Sequence, residues 1–158
     1  MKAAKGNAAR AKDANEDRKR SDVTRHNDAS RIAQLFIYGT LKRGHCRAPI
    51  LAEQRFLRTV QTRPIYRMLN CGTYPGLVAT GTGDGKAIQG ELWEVDRVCL
   101  ALLDSEEGVD VGLYKRAAIE VEGHPRRVEG YHYLHDISSL ADCGNCWTLE
   151  FERGMLGR

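Results

Sequence analysis

Apolar side chains are sparse in the first 31 residues and then concentrate in short stretches, of which the first is the most continuous. Residues 35–38 read Leu-Phe-Ile-Tyr without a polar break, and this composition predicts a buried strand. Gly39 follows directly, so the strand ends abruptly. Because glycine lets a ligand approach the backbone closely, the amides of Gly39, Thr40 and Leu41 could point together and bind an anion. A plain turn from strand to loop is the alternative at this point.

The later patterns predict a mixture of strands and short helices. Alternation or β-branched composition predicts strands over 64–69, 87–95, 114–121 and 128–135, the last two joined by a turn at 123–125. Asp84-Gly85 predicts a hairpin turn before the second of these strands, and the spacing over 48–57 predicts a short helix. Strands that come first and last, with helices inserted, favour an α+β fold over a doubly wound sheet.

A second helix is predicted after Asp96, which is a good N-cap residue. The apolar residues that follow are expected to form a single stripe against the core: Val98, Cys99, Ala101, Leu102 and Leu103. This helix runs into Asp-Ser-Glu-Glu-Gly at 104–108, where the helix dipole disfavours negative charge. Either all three carboxylates are exposed to solvent, or one turns inward and has its pKa raised, as a general base near neutral pH requires.

Charge is distributed unevenly along the 158 residues. Residues 1–31 hold nine Lys/Arg and five Asp/Glu, a net charge of +4, and almost no large aliphatic side chains. They are expected to form a disordered or weakly helical tail, because such a composition buries too little apolar surface to offset chain entropy. Residues 32–158 hold fifteen and sixteen, a net charge of −1, and are expected to form one domain. A domain with a net charge this close to zero lacks the excess of positive charge that is typical of proteins that bind nucleic acid.

The sequence has neither the apolar run of ~18 residues that predicts a membrane span nor an N-terminal apolar segment typical of a secretory signal. We therefore expect a soluble, cytoplasmic protein that does not bind membranes. The five cysteines are an odd and scattered set, which favours reduced thiols over a disulfide framework.

Cys143 and Cys146 have the spacing of a redox pair or of half a metal site, and His132 and His135 lie just upstream. A dithiol motif usually opens a helix in a βαβ unit, which this chain does not predict, and a zinc site would have to recruit both histidines at an unusual spacing. Free thiols in a loop are therefore the favoured interpretation, and no metal site is expected. A thiol or zinc protein centred on this pair remains a distinct hypothesis.

Several short motifs occur in an order that resembles the γ-glutamylcyclotransferase superfamily, in particular its γ-glutamylamine cyclotransferase-like, or AIG2-like, branch. The motifs are Tyr-Gly-Thr-Leu-Lys-Arg-Gly at 38–44, Tyr-Pro-Gly at 74–76, Gly-Glu-Leu-Trp-Glu-Val at 90–95, Leu-Asp-Ser-Glu-Glu-Gly at 103–108 and Tyr-Lys-Arg at 114–116. Each motif is weak alone, but the ordered set is fairly specific and covers about residues 34–152.

This resemblance implies a small, mixed, partly closed β-barrel with flanking helices, a cavity at the barrel mouth and no cofactor. It also implies a small-molecule γ-glutamyl substrate. Members of the superfamily let the α-amine of the substrate attack its own γ-carbonyl, which releases 5-oxoproline and an amine. The alternative is a non-catalytic module on the same fold that binds a small acidic metabolite.

The resemblance also implies roles for individual residues. The loop of Tyr38, Gly39, Thr40 and Leu41 is expected to hold the glutamyl moiety, with its backbone amides on the α-carboxylate. Glu107 matches the catalytic glutamate and would serve as general acid and base. Glu106 stands where the family often has an apolar residue, and its charge would raise the pKa of Glu107.

Tyr114, which follows the acidic segment, is expected either to line the site or to hydrogen-bond Glu107.

Overall fold

A mixed five-stranded sheet forms the centre of the structure, a computed structural model that describes residues 32–81 and 83–154. The strands are β1 (Ala33–Ile37), β2 (Arg55–Gln61), β3 (Tyr66–Asn70), β4 (Pro75–Ala79), β5 (Gln89–Val95), β6 (Tyr114–Ile119) and β7 (Val128–Tyr133). The helices are a 3₁₀ helix (Ala48–Leu51), α1 (Arg97–Glu106) and α2 (Leu149–Glu152). The five-stranded sheet has the order β2-β5-β1-β7-β6, and β3 and β4 form a separate pair. The expected tail over residues 1–31 lies outside the described residues.

The first predicted strand, β1, is the central strand of the sheet. It runs antiparallel to β5 and parallel to β7, so that Leu35 is paired with both Trp93 and Glu129. Leu35 and Phe36 are completely buried although they point to opposite faces. A strand covered on both faces needs a continuous apolar sequence, which explains the unbroken run at residues 35–38.

The two faces of β1 contribute to two different core clusters. Phe36 and Tyr38 pack with Met68 and Leu77 of the β3–β4 pair, and Trp147 belongs to the same cluster. On the other face, Leu35 and Ile37 belong to the cluster that contains Cys99 and Leu103 of α1. The end of β1 therefore lies between the helix and the small β-pair.

The sheet does not close into a barrel. Its edge strands, β2 and β6, approach each other just beyond their C-terminal ends, where an isolated antiparallel bridge pairs Thr62 with Val121. Next to this bridge, the amide of Arg63 donates to the carbonyl of Glu120 at 2.9 Å. The α+β class is confirmed, whereas the expected partly closed barrel applies only in the loose sense that the sheet edges meet at this end.

The predicted helix over 48–57 is wrong in its second half. Only Ala48–Leu51 is helical, as a 3₁₀ turn, and the chain enters β2 at Arg55. Phe56 packs edge-on against Trp93 of β5, with ring centroids 5.5 Å apart. This cross-strand contact and the β-branched residues further along β2 outweigh the weak helical spacing.

The hairpin predicted at Asp84-Gly85 is also wrong. The strand before it, β4, pairs with β3, whereas β5 pairs with β1 and β2. β4 itself, which begins at Pro75, was not predicted from the sequence. Proline is tolerated there because it occupies the first residue of an edge strand.

The other predicted elements occur close to their expected positions. β6 and β7 form the expected antiparallel pair, and the carboxylate of Asp96 caps α1 by accepting from the amide of Cys99 at 2.8 Å. The apolar stripe of α1 is narrower than predicted, because Val98 is 82% exposed and Leu102 is 48% exposed.

Among residues 32–81 and 83–154, no helix has the length and apolar character needed to cross a membrane.

Candidate active site

A pocket opens where β1 ends, and its empty space, counted together with the solvent at its mouth, is about 340 Å³. All six residues expected at the site line it: Tyr38, Gly39, Thr40, Leu41, Glu107 and Tyr114. Six further residues line it: Phe36 and Ile37 of β1, and Arg47, Tyr74, Pro75 and Tyr131. The fold therefore gathers the strand end, the C-terminal end of α1 and the start of β6 around one cavity.

The loop after β1 is compact, and glycine is required at its first position. A Cβ atom at Gly39 would lie 2.7 Å from Cγ of Pro75, so any larger residue would displace the pocket wall. The loop is closed by two backbone hydrogen bonds, from the amide of Lys42 to the carbonyl of Gly39 at 3.1 Å and from the amide of Arg47 to the carbonyl of Thr40 at 2.9 Å.

The same loop carries unused hydrogen-bond donors. No acceptor within the described part of the chain bonds the backbone amides of Gly39, Thr40 or Leu41, or the hydroxyl of Thr40. Buried donors normally find a partner, and successive amides at a turn are a common binding site for anions. These donors line the pocket and suit a carboxylate group.

Glu107 reaches the pocket because of the way α1 ends. Gly108 has a φ of +66°, which glycine adopts at little cost. The amide of Gly108 donates to the carbonyl of Ser105 and the amide of Val109 to that of Asp104, both at 3.0 Å, which together form a Schellman motif. This tight stop places Glu107, the C-cap residue, against the core rather than in solvent.

The Glu107 carboxylate lies in a largely apolar environment with one cation beside it. The residue is 9% exposed, and its Oε1 accepts a hydrogen bond from Nη1 of Arg47 at 3.1 Å. Burial raises the pKa of Glu107 above its ordinary value; Arg47 opposes this shift, and the neighbouring Glu106 adds to it. Such a carboxylate can exchange protons nearer to neutral pH than an exposed one.

The other two carboxylates of the acidic segment have different environments. Asp104 accepts from Nε of Arg116 at 2.9 Å and from the hydroxyl of Tyr131 at 2.8 Å. Glu106 is exposed, and its Oε2 lies 3.5 Å from Nη2 of Arg47. The inward position is thus taken by Glu107, while its neighbours offset the unfavourable helix dipole through nearby arginines.

The tyrosines at the site form its walls. Tyr114 donates its hydroxyl proton to the carbonyl of Pro75 and not to Glu107, so of the two expected roles it has that of a lining residue. Tyr38 donates in the same way to the carbonyl of Tyr131 at 2.7 Å. Burial raises the pKa of both phenols far above the ordinary value, so they remain neutral and hydrogen-bonded to the backbone.

The residues that sequence reasoning missed differ in the signal they carried. Tyr74 and Pro75 belong to the Tyr-Pro-Gly motif, whose aromatic residue beside a turn is compatible with a pocket wall. Nothing in the local sequence identifies Arg47 as a site residue, because its side chain contacts Glu107, which lies sixty residues later at the end of α1.

The cysteines and histidines of the alternative hypothesis do not form a metal cluster. All five cysteines are free thiols, and no group of three or more His, Cys, Asp or Glu suited to a metal ion occurs in the described ranges. Cys143 is buried, and burial raises the pKa of its thiol to about 12. His132 lies 3.1 Å from the carbonyl of Ala118, to which it hydrogen-bonds through Nε2.

Comparison with known proteins agrees with this geometry. The family model described as gamma-glutamyl cyclotransferase, AIG2-like, matches residues 35–148. A Vibrio cholerae protein provisionally named gamma-glutamylcyclotransferase is 34% identical over 111 residues, which cover 70% of this chain and 92% of that protein. A Rattus norvegicus protein named gamma-glutamylaminecyclotransferase is 33% identical over 97 residues, 57% of this chain and 64% of the rat protein.

The fold has solved counterparts as well. The crystal structure of an AIG2-like protein from Mus musculus superposes with a TM-score of 0.66 at 24% identity, covering 80% of this chain and 95% of the mouse chain. The match to the family model extends from β1 to the segment before α2 and so includes every residue placed at the pocket. The chain belongs to the gamma-glutamyl cyclotransferase, AIG2-like family.

Proposed function

We propose that this protein is a γ-glutamylcyclotransferase-like enzyme that converts a γ-glutamyl amine or peptide into 5-oxoproline and a free amine. The observation that carries the proposal is the placement of Glu107: it is the one carboxylate that lines the pocket within the described part of the chain, and it faces the same cavity as the donors of the 38–41 loop. The family and the names of the two relatives support the class of reaction.

The proposed binding mode assigns each end of the glutamyl group to one wall of the pocket. The α-carboxylate is bound by the free amides of Gly39, Thr40 and Leu41 and by the Thr40 hydroxyl. The α-ammonium group lies beside Glu107, and the γ-carbonyl faces the open part of the pocket. Fixing the carboxylate and the ammonium group brings the nucleophile and its target together, and the five-membered ring is then closed between tethered reactants.

The proposed chemistry moves protons from the nucleophile to the leaving group. Glu107 accepts a proton from the α-ammonium, the freed amine attacks the γ-carbonyl carbon, and a C–N bond forms as the carbonyl π electrons move to oxygen. Collapse of this intermediate breaks the bond to the leaving nitrogen, which receives the first proton from Glu107. The attacking nitrogen, which is positively charged after the attack, gives a second proton to Glu107, which passes it to the departing amine, and one N–H remains on the lactam. In the overall balance, two protons of the ammonium group end on the departing amine, Glu107 is unchanged and no water is consumed.

The test is 5-oxoproline release from a panel of γ-glutamyl compounds whose leaving groups are an amino acid, a dipeptide, a lysine side chain and a simple amine. We expect wild type to release 5-oxoproline from at least one compound and Glu107→Gln to lose at least 10²-fold in kcat, since the amide cannot exchange the proton. Binding of the unreacted compound, measured by calorimetry, should persist in the variant.

Glu106→Gln is the matched control, because it removes the neighbouring exposed carboxylate from the same segment. It should retain most of the turnover. If the folded wild-type protein releases no 5-oxoproline but binds γ-glutamyl compounds or another small acid, the non-catalytic binding module replaces the enzyme.

A further inference from the structure

Arg47 lies between the two adjacent carboxylates at the end of α1. Its Nη1 donates to Oε1 of Glu107 at 3.1 Å, and its Nη2 lies 3.5 Å from Oε2 of Glu106. Its backbone is held by the same turn that carries the amide donors, through the hydrogen bond to the carbonyl of Thr40. The guanidinium therefore links the proposed carboxylate-binding loop to the proposed general base.

We propose that Arg47 is a positioning residue for the γ-glutamyl reaction, which fixes the Glu107 carboxylate through one oxygen and is itself oriented by Glu106. This inference rests on the proposed function. A single bond to Oε1 leaves Oε2 of Glu107, which has no hydrogen-bond partner among the described residues, for the substrate ammonium group. The planar guanidinium suits this task because its donors diverge in a fixed geometry and can contact two carboxylates at once.

The electrostatic environment gives Arg47 a second effect on the same carboxylate. Among residues 32–81 and 83–154, the ionisable groups that interact with Glu107 are one cation, Arg47, one anion, Glu106, and four phenols: Tyr38, Tyr74, Tyr114 and Tyr131. The phenols are neutral, so Arg47 is the cation that opposes the effect of burial on this carboxyl group within the described part of the chain. Without it, Glu107 would keep its proton to higher pH and could not act as a base there.

The two ion pairs of Arg47 are expected to differ in strength. The side chain of Glu107 is 11% exposed and that of Glu106 is 47% exposed, so solvent screens the second pair much more than the first. Loss of Arg47 should consequently have a large effect on Glu107. Loss of Glu106 should have a small effect of the opposite sign, since it removes a like charge and leaves Arg47 to pair with Glu107 alone.

The experiment is the pH profile of kcat/KM for the best compound of the panel, measured for wild type, Arg47→Gln, Arg47→Lys and Glu106→Gln. Arg47→Gln should move the acid limb to higher pH and lower the plateau by roughly ten- to hundredfold, mainly through kcat, because the base is both misplaced and more readily protonated. Arg47→Lys should restore the position of the acid limb, because lysine keeps the positive charge. It should restore only part of the plateau value of kcat/KM, because lysine lacks the diverging donors of the planar guanidinium. Glu106→Gln should move the limb slightly to lower pH.

Arg55→Gln is the matched control for charge. Arg55 is 75% exposed, pairs with Glu94 at 3.3 Å and does not line the pocket, so its loss should leave both limb and plateau as in wild type. An acid limb that stays in place in Arg47→Gln, or one that moves equally in Arg55→Gln, would overturn the proposal.

A measurement without turnover separates this inference from the proposed function. The carboxyl carbon of Glu107 is observed by NMR after ¹³C labelling of glutamate, with Glu107→Gln used to assign the resonance. Titration of this carbon should occur at higher pH in Arg47→Gln than in wild type. Unchanged titration overturns the role of Arg47 even if the protein is active. A shifted titration in a protein that releases no 5-oxoproline would overturn the proposed function and, with it, the catalytic meaning of the Arg47 contact.

Discussion

At the scale of single residues, the site depends on a carboxylate held where ionisation is unfavourable. Burial raises the pKa of Glu107, and Arg47 offsets this effect only in part. The folded protein therefore binds the Glu107 proton more tightly than the unfolded chain does. This is a common compromise at active sites, where a poised group lowers the stability of the fold.

Glu107→Gln should consequently make the protein more stable at neutral pH while it abolishes turnover. Between the ordinary pKa of a glutamate and the raised pKa of the folded state, the folded protein holds more protons, so wild-type stability falls as the pH rises through this window. Above this window, the buried and ionised Glu107 carboxylate destabilises the fold to its full extent. Below it, the carboxyl group is protonated in both states and this destabilisation is absent. Urea unfolding at a series of pH values should show a higher free energy of unfolding for Glu107→Gln than for wild type at neutral pH, and this difference should disappear in acid. A variant that is less stable than wild type at neutral pH would contradict the assignment of burial as the main cause of the raised pKa.

At the scale of elements, α1 has two well-defined ends with different consequences for function. The N-cap bond from the amide of Cys99 to Asp96 stabilises the helix far from the pocket. The Schellman motif around Gly108 ends the helix and sets the direction of Glu107. Both ends contribute to stability, but only the second is adjacent to the proposed catalytic residue.

Asp96→Ala and Gly108→Ala form a matched pair that separates these contributions. Asp96→Ala removes the cap and should lower the free energy of unfolding by about 1 kcal/mol. Gly108→Ala forces a side chain into the left-handed region and brings Cβ within 3.2 Å of Leu113 and Val111, and it should lower that free energy by about 1–2 kcal/mol.

Turnover should respond to only one member of this pair. Because Gly108 orients Glu107, kcat/KM should fall at least tenfold in Gly108→Ala and remain near wild type in Asp96→Ala. Denaturant unfolding and 5-oxoproline release measured on both proteins check the prediction. Equal loss of activity in the two variants would show that Glu107 depends on overall helix stability rather than on the C-terminal motif.

At the scale of the whole molecule, the C-terminal helix fastens the loop that carries the site. Glu152 of α2 accepts from the amide of Cys46 at 2.7 Å and hydrogen-bonds the ring of His45. Nearby, the ammonium group of Lys42 donates to the carbonyl of Trp147 at 2.7 Å. The loop from 39 to 47 is therefore held at one end by β1 and along its length by α2 and by Trp147, which precedes that helix.

Glu152→Gln should loosen this attachment and lower the free energy of unfolding by roughly 1–2 kcal/mol at neutral pH. Burial would raise the pKa of Glu152, but its hydrogen bonds with Cys46 and His45 outweigh that effect and hold the pKa below its ordinary value. The stabilisation is thus fully present above the pKa of the unfolded chain and is lost as the pH falls through the folded value.

The measurement is urea unfolding of wild type, Glu152→Gln and Glu150→Gln from neutral to acidic pH. Glu150 lies on the same helix and is exposed, so its substitution serves as the control and should have little effect. The difference in the free energy of unfolding between wild type and Glu152→Gln should become smaller in acid. A gap that is constant over this range would mean that the ionised carboxylate does not hold the loop.

Features that depend on neighbouring residues in the chain were predictable. The apolar run at 35–38 specified a strand buried on both faces, Asp96 specified the start of α1, and the turn at 123–125 specified the β6–β7 pair. The ordered motifs were sufficient to indicate the family, and the resemblance assigned Glu107 and the loop at 38–41 to one site; these residues line one pocket, and their roles stay a prediction. In each case a local preference, of backbone or of side chain, agrees with the final fold.

Features that depend on distant partners required the tertiary structure. The contact of Phe56 with Trp93 of β5 favours a strand at β2. β4 pairs with the preceding strand, β3, and not with the following strand, β5. The role of Arg47 at the site becomes visible only when the fold brings it to Glu107, and only the tertiary structure shows that Glu107 is buried there while Glu106 is exposed. Local chemistry thus determined where elements begin and end and which motifs are present, whereas strand pairing, burial and charge pairing arise between residues far apart in the chain and were decided by packing.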